Sequence, residues 1–327
     1  MLFTTNDMRP MDLDPSYIPY LKKLIAGKKI PTHLENVGLR RSRVAKERKA
    51  INAEIYNDVR ITNTYIRSGD HDIPIRLYRP SNVNQDSLLP AIIYFHGGGW
   101  MYGSAEQSDS TCVAYCRGTG AVIISPDYRL SPENPFPAGF DDCYETLCWS
   151  FNQATYLGID SSRLAVAGES SGGNLAAACA LETRNQNGPE LKLQMLNYPA
   201  LGTDFDTESY NQNKCAPVLS AAEMKYFWQQ YLATELDQLN PRAVPLIASD
   251  LRNLAPAYII VAEYDPLRDD GINYASRLEA HGTPVVLKHA NRLPHGFMRS
   301  LATSEDVQQA FIDIINAFRL ALLINEN

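Results

Sequence analysis

Between residues 91 and 289 short apolar runs recur: Ala91–Phe95, Ala121–Ser125, Leu164–Ala167, Leu191–Asn197, Ala257–Ala262 and Pro284–His289. Most are unbroken rather than alternating, as strands buried on both faces of a sheet must be. Two more strands, Val59–Arg67 and Ile73–Arg79, precede them, joined by the turn-forming Ser68-Gly69-Asp70-His71-Asp72. Helical stretches lie between the runs, clearest at Phe140–Phe151, Ser171–Arg184, Gly271–His281 and Ser304–Ile324. In the last, Val307, Phe311, Ile314, Ile315 and Phe318 recur at three- and four-residue steps and form one apolar face. Strands alternating with helices imply parallel βαβ units, hence an α/β fold with a mostly parallel, eight-stranded sheet covered on both sides.

One segment breaks this rhythm. Residues 201–246 contain no strand; they open with the polar Gly202–Asn213 and continue into a helix at Ala221–Ala233. An insertion of that length is usually functional, such as a lid or cap. The aromatic side chains of its helix (Tyr226, Phe227, Trp228, Tyr231) are read as packing rather than as a lipid port. Residues 1–55 are a proline-punctuated tail followed by one basic amphipathic stretch. The chain therefore divides into an N-terminal segment 1–55, a first core part 56–200, the insertion 201–246 and a second core part 247–327.

Composition removes several function classes. Of 327 residues, 45% are hydrophobic and 20% charged, which is ordinary for a globular protein and excludes collagen-like or disordered readings. The net charge of −7 argues against nucleic acid as a partner, because phosphate binding needs a clustered positive field. The basic cluster Arg40-Arg41-Ser42-Arg43, with Lys46, Arg48 and Lys49, is read as the solvated face of a helix. No apolar run reaches the roughly 18 residues of a membrane span, and the first residues have neither a basic nor an apolar leader region. Cys112, Cys116, Cys143, Cys148, Cys179 and Cys215 form no CxxC pair and are expected as structural thiols in a reducing compartment. A cytoplasmic location is expected.

The sharpest motif is Gly168-Glu169-Ser170-Ser171-Gly172-Gly173, directly after the strand ending at Ala167 and before a helix. Gly-x-Ser-x-Gly alone is weak, about one chance match in ten chains of this length. In a strand–turn–helix context it exposes Ser170 at a helix N-terminus, where free N–H groups favour developing negative charge. Upstream, His96-Gly97-Gly98-Gly99-Trp100 ends another strand; three residues without Cβ can bring backbone N–H groups against a ligand oxygen. A phosphate loop would need a Lys-Ser/Thr pair that is absent, and no G-x-G-x-x-G is formed.

A serine nucleophile needs a base, and the base an acid to orient it. Of the histidines, His33 lies in the N-terminal tail, His71 in the hairpin turn, and His96 at the glycine loop in a structural role. His281 sits at a helix C-terminus before Gly282, and His289 within the last strand. His295, in the loop Asn291–Phe297 beyond that strand, is the preferred base. For the acid, Glu263 is still on a strand, and Asp269 and Asp270 belong to the first turn of the next helix. Asp265 stands at the strand exit, stiffened by Pro266. The order Ser170, Asp265, His295 is that of α/β-hydrolases and not of the chymotrypsin or subtilisin types.

With these motifs in view, the chain resembles the hormone-sensitive-lipase-like family of α/β-hydrolase esterases, bacterial branch. The resemblance rests on His96-Gly-Gly-Gly-Trp100, Asp127-Tyr-Arg-Leu-Ser-Pro-Glu133 with Phe136-Pro137-Ala138, Gly168–Gly173, Asp265-Pro-Leu-Arg-Asp-Asp-Gly271 and His295-Gly-Phe297. It implies an α/β-hydrolase fold with a helical cap built from the N-terminal segment and the 201–246 insertion. It also implies Ser170 as nucleophile, His295 as base, Asp265 as orienting acid, and an oxyanion hole from the N–H groups of Gly98, Gly99 and Ser171. The activity implied is hydrolysis of short- to medium-chain acyl esters, with no cofactor and no metal. A lipase or a deacetylase/amidase using the same triad, or a small-molecule receptor on the same scaffold, are the alternatives. A homodimer through the last strand or helix is compatible with the resemblance. Glu169 and Ser171 stand where the family commonly has Asp and Ala, and Ser131 and Asn134 replace the usual Ala and His.

Overall fold

The computed structural model describes residues 11–27, 35–51, 56–84, 87–301 and 304–323. A hairpin of β1 (Val59–Ser68) and β2 (His71–Pro80) opens the sheet; β3 (Leu89–Phe95), β4 (Val122–Pro126), β5 (Ile159–Glu169), β6 (Leu193–Asn197), β7 (Ala257–Tyr264) and β8 (Val285–Pro294) follow. Their spatial order is β1-β2-β4-β3-β5-β6-β7-β8, with β2 antiparallel to both neighbours and every other pair parallel. All eight expected strands are present, so the α/β-hydrolase sheet is the one read from the apolar runs. The central strands are buried on both faces: Ala91, Ile93 and Phe95 of β3 point into one apolar layer, Ile92 and Tyr94 into the other. That is the period of two expressed in an unbroken apolar run.

Helices α1 (Ile18–Gly27), α2 (Val37–Ile51), α3 (Asp109–Thr119), α4 (Ala138–Asn152), α5 (Ala154–Leu157), α6 (Ser171–Asn185), α7 (Glu208–Gln212), α8 (Ala221–Tyr231), α9 (Arg268–Ala280) and α10 (Glu305–Ala321) surround it. On one face lie α4, α6 and α9, on the other α3 and α10. Every residue of α6 from Ser171 to Thr183 is buried. Its run Ala176-Ala177-Ala178 lets the backbone lie close to the sheet, which sets the helix N-terminus directly against the end of β5. Among the described residues, no helix is long and apolar enough to cross a membrane. The six cysteines are free thiols.

Two features were not legible as read. The N-terminal region holds two helices where one basic stretch was expected, and His33 lies outside the described residues. Within the basic cluster, Arg40, Arg41 and Arg43 are docked rather than solvated, while Lys46 is exposed. Arg41 donates from Nε to the Met101 carbonyl (2.8 Å) and from Nη2 to the Ser131 carbonyl (2.8 Å), and it pairs with Glu133. The Arg40 guanidinium lies over the Tyr102 ring at 4.8 Å, and Arg43 pairs with Glu35. A charge run read in isolation looks solvated, but the folded chain presents the Met101 and Ser131 carbonyls side by side to a guanidinium fork, which suits them. The side chains of Arg48 and Lys49 lie outside the described residues.

The insertion starts from a buried anchor. Both Leu201 and Gly202 donate their N–H groups to Asp270 Oδ2 at 2.9 Å. Asp270 is only 2% exposed, and burial pushes its carboxyl up to about 8 against the pull of those two bonds; Asp265 and Asp269 add to the rise. A folded value above the unfolded one means that the native state holds the proton more tightly. The stability contribution is then full below about pH 4 and is lost as pH rises towards 8. Asp270→Asn keeps an oxygen acceptor and never ionises. Calorimetric Tm values are therefore expected to shift in favour of the variant, relative to the native chain, as pH rises from about 4 to 8. A Tm difference constant across that range would contradict the assignment.

Candidate active site

Ser170 stands between β5 and α6 with φ 57° and ψ −120°, a left-handed conformation for a residue with a Cβ. Such a conformation costs on the order of 1–3 kcal/mol and persists only where its surroundings fix it. Here its N–H donates to the Asn197 carbonyl (2.9 Å), and its own carbonyl accepts from Asn174 (3.1 Å) and Ala200 (3.2 Å). The turn is too tight for side chains at its flanks: a Cβ on Gly168 would overlap the Gly172 carbonyl, and one on Gly172 the Phe95 carbonyl.

His295 follows β8 without an intervening loop, because the strand runs to Pro294 rather than ending at His289. Opposite it β7 carries an irregularity between Ala262 and Tyr264, where Glu263 accepts the Arg292 N–H at 2.8 Å. His295 Nδ1 donates to Asp265 Oδ2 at 2.6 Å, and the Ser170 hydroxyl donates to Nε2 at 2.9 Å. Asp265 is fully buried, its other oxygen accepting the Leu267 N–H at 2.9 Å. A carboxylate on Nδ1 fixes the tautomer that leaves Nε2 free to accept a proton.

Beside Ser170 lies the glycine loop. Gly98 has φ 140°, and a Cβ there would overlap the Tyr102 carbonyl; the Gly98 carbonyl turns away to accept from Met101 and Tyr102. Gly97, Gly98, Gly99, Ser170 and His295 line one cavity of about 130 Å³. Its outer wall comes from Arg40 and Val44 of α2, and from Val218, Leu219, Glu223 and Phe227 of the insertion. α8 is fixed by a reciprocal cap, Ser220 and Glu223 each bonding the other's N–H. Behind Phe227 its aromatic residues pack inward, with Tyr231 stacked on Trp100 at 4.3 Å and Trp228 against Trp100 at 4.5 Å.

The remaining candidates lie elsewhere. His71 bonds Asp142, which also holds Arg129; the His96 ring stacks on Tyr128 at 4.3 Å. His281 caps α9 through the Arg277 carbonyl at 2.8 Å, and His289 is exposed on β8. Asp269 accepts the Ser209 N–H, tying α7 to α9. Two residues close to the site, Tyr198 and Arg299, were missed. Arg299 could have been suspected from its place four residues after His295.

The α/β hydrolase fold family profile matches residues 92–299. The chain is 35% identical to an ethyl acetate hydrolase of Pseudomonas putida, over 94% of this chain and 99% of that protein. It is 38% identical to Esterase LipI of Mycobacterium tuberculosis, over 75% and 77% of the respective chains. Among solved structures, the hyperthermophilic esterase of the archaeon Pyrobaculum calidifontis superposes with a TM-score of 0.88 at 35% identity, covering 95% of this chain and all of that one. A thermostable esterase of Pseudomonas putida gives 0.90 at 29% identity, over 97% and 99%. The profile match over residues 92–299, together with the identity to the ethyl acetate hydrolase along nearly its whole length, places this chain in the hormone-sensitive-lipase-like family of α/β-hydrolase esterases.

Proposed function

We propose that this ester hydrolase cleaves short- to medium-chain acyl esters through an acyl-enzyme on Ser170, with His295 as general base and Asp265 as its orienting acid. The observation that carries the reading is the hydrogen-bonded chain Ser170–His295–Asp265 on the wall of a cavity shared with the glycine loop. His295 takes the Ser170 proton as the hydroxyl oxygen attacks the ester carbonyl. The N–H groups of Gly98, Gly99 and Ser171 receive the oxyanion, each such donor contributing about 3 kcal/mol to the transition state. The tetrahedral intermediate collapses as His295 gives its proton to the leaving alcohol. Water, deprotonated by the same imidazole, then releases the acid.

Helix α2 of the N-terminal segment and the insertion 201–246 act together as the cap over this cavity. Its size supports a short acyl group, since about 130 Å³ lies below the roughly 300–1,000 Å³ of pockets that enclose drug-sized ligands. Phe227 sets that limit, because its ring lies directly against Gly99. Phe227→Ala is expected to raise kcat/KM for p-nitrophenyl octanoate relative to butyrate by about tenfold, as extra methylenes find apolar space. An unchanged ratio would place the acyl chain on another wall. The overall reading is tested by hydrolysis of p-nitrophenyl esters from acetate to palmitate. A peak at the short end supports it, a peak at the long end favours a lipase, and no ester hydrolysis by folded protein contradicts it.

A further inference from the structure

Glu169 places a carboxylate one residue before Ser170, with only 5% of the residue exposed. The Tyr198 hydroxyl donates to its Oε2 at 2.7 Å, and Arg299 approaches Oε1 at 3.4 Å. Arg299 comes from the turn Phe297–Ser300 that follows His295, and it lines the same cavity as Ser170. Its Nη2 lies 3.2 Å from where a Cβ on Gly97 would stand, and the Glu169 side chain is equally close to that point, at 3.0 Å. The pair thus sits against the first residue of the glycine loop. Tyr198 links it to the histidine: its ring meets His295 edge-on at 4.9 Å and Phe297 at 5.2 Å.

Acyl transfer creates a negative oxygen at the glycine loop and a positive imidazolium at His295. A buried carboxylate beside Ser170 with no counter-charge would oppose the first and over-stabilise the second. The Glu169 charge is the main influence holding the Arg299 guanidinium above its ordinary value. We propose that Arg299 is a positioning residue for the reaction: its guanidinium cancels the Glu169 charge and so sets the field in which oxyanion and imidazolium form. This rests on the reading of Ser170 and His295 given above. The other charged or titratable groups around them are Asp265 on Nδ1, Arg40, Tyr102 and Glu223 on the cavity wall, Tyr17, Tyr20 and Tyr94 about Arg299, and Cys112, Tyr115 and Tyr128 about Glu169. None of them is substituted in the variants below.

The test is kcat and kcat/KM against pH for the native chain, Arg299→Met, Arg299→Lys, Glu169→Gln and the double variant Glu169→Gln/Arg299→Met, using p-nitrophenyl butyrate. Arg299→Met is expected to lower kcat about tenfold with little change in KM, and to move the acid limb up by about one pH unit. Adding Glu169→Gln should return the limb to its native position, Arg299→Lys should keep it there, and Glu169→Gln alone should move it down. A limb that stays still in both Arg299→Met and Glu169→Gln, or a loss in Arg299→Met that Glu169→Gln does not repair, overturns the proposal. Should Arg299→Met fail to fold, Glu169→Gln alone decides. Ser170→Ala is assayed beside them: an active Ser170→Ala means the triad reading has failed, whereas an inactive one with unmoved limbs means that only Arg299's role has.

Discussion

Ser170→Ala is expected to lower kcat on p-nitrophenyl esters by about 10⁶ while the protein keeps its fold. The size follows from the geometry. Among the described residues, the hydroxyl is the one nucleophilic oxygen within hydrogen-bond distance of His295 Nε2, at 2.9 Å. Without it His295 can only activate a water that nothing positions. Alanine keeps the Cβ, so the left-handed backbone at φ 57° is no more strained than before. The bonds that hold the turn, from Ser170 N–H to Asn197 and from Asn174 and Ala200 to the Ser170 carbonyl, involve backbone atoms alone. A near-native Tm with activity at background separates loss of chemistry from loss of structure. Activity within a factor of ten of native would remove Ser170 from the mechanism.

Asp265→Asn is expected to cost about 10⁴ in kcat with the site's geometry intact. Asp265 spends one oxygen on the Leu267 N–H and the other on His295 Nδ1–H. Asparagine has one acceptor oxygen. If that oxygen keeps the backbone bond, the amide NH₂ faces Nδ1 and donates to it, and the imidazole proton moves to Nε2. The histidine then presents a donor to Ser170 where an acceptor is required, and the buried imidazolium also loses its counter-charge. Asp265→Asn is nearly isosteric in a fully buried position, so the loss should appear in kcat far more than in KM or Tm. A kcat within tenfold of native would show that another group orients His295.

The strands were legible because burial on both faces of a sheet leaves no room for polar residues, so runs such as Ala91–Phe95 and Ala257–Ala262 stand out without any alignment. Ser170 was legible for a different reason. The crossing of β5 into α6 leaves no space for a Cβ at Gly168 or Gly172, and the sequence carries that steric demand as a motif. Asp265 and His295 were found from their positions at strand ends, and the structure brings them into one hydrogen-bonded chain with Ser170. Helix α3 was not singled out, although Cys112 and Cys116, both buried, share one face of it. The polar Asp109-Ser110-Thr111 and the Arg117-Gly118 pair blur its apolar stripe. The docking of Arg41 on the Met101 and Ser131 carbonyls joins residues 60 and 90 positions apart. No local pattern encodes such a contact, because the two carbonyls come together only once the segments that hold Met101 and Ser131 have folded against each other. The same holds for Arg299 and Glu169, separated by 130 positions.

The central claim is that the acyl group passes through Ser170, and quenching the reaction during turnover tests it most directly. The protein is mixed with excess p-nitrophenyl butyrate at low temperature, quenched in acid and digested, and its peptides are weighed by mass spectrometry. A single butyryl group on the peptide containing Ser170, absent from Ser170→Ala, is the expected result. A butyryl group on another residue, or none at any quench time from an enzyme that shows a burst of p-nitrophenol, would contradict it.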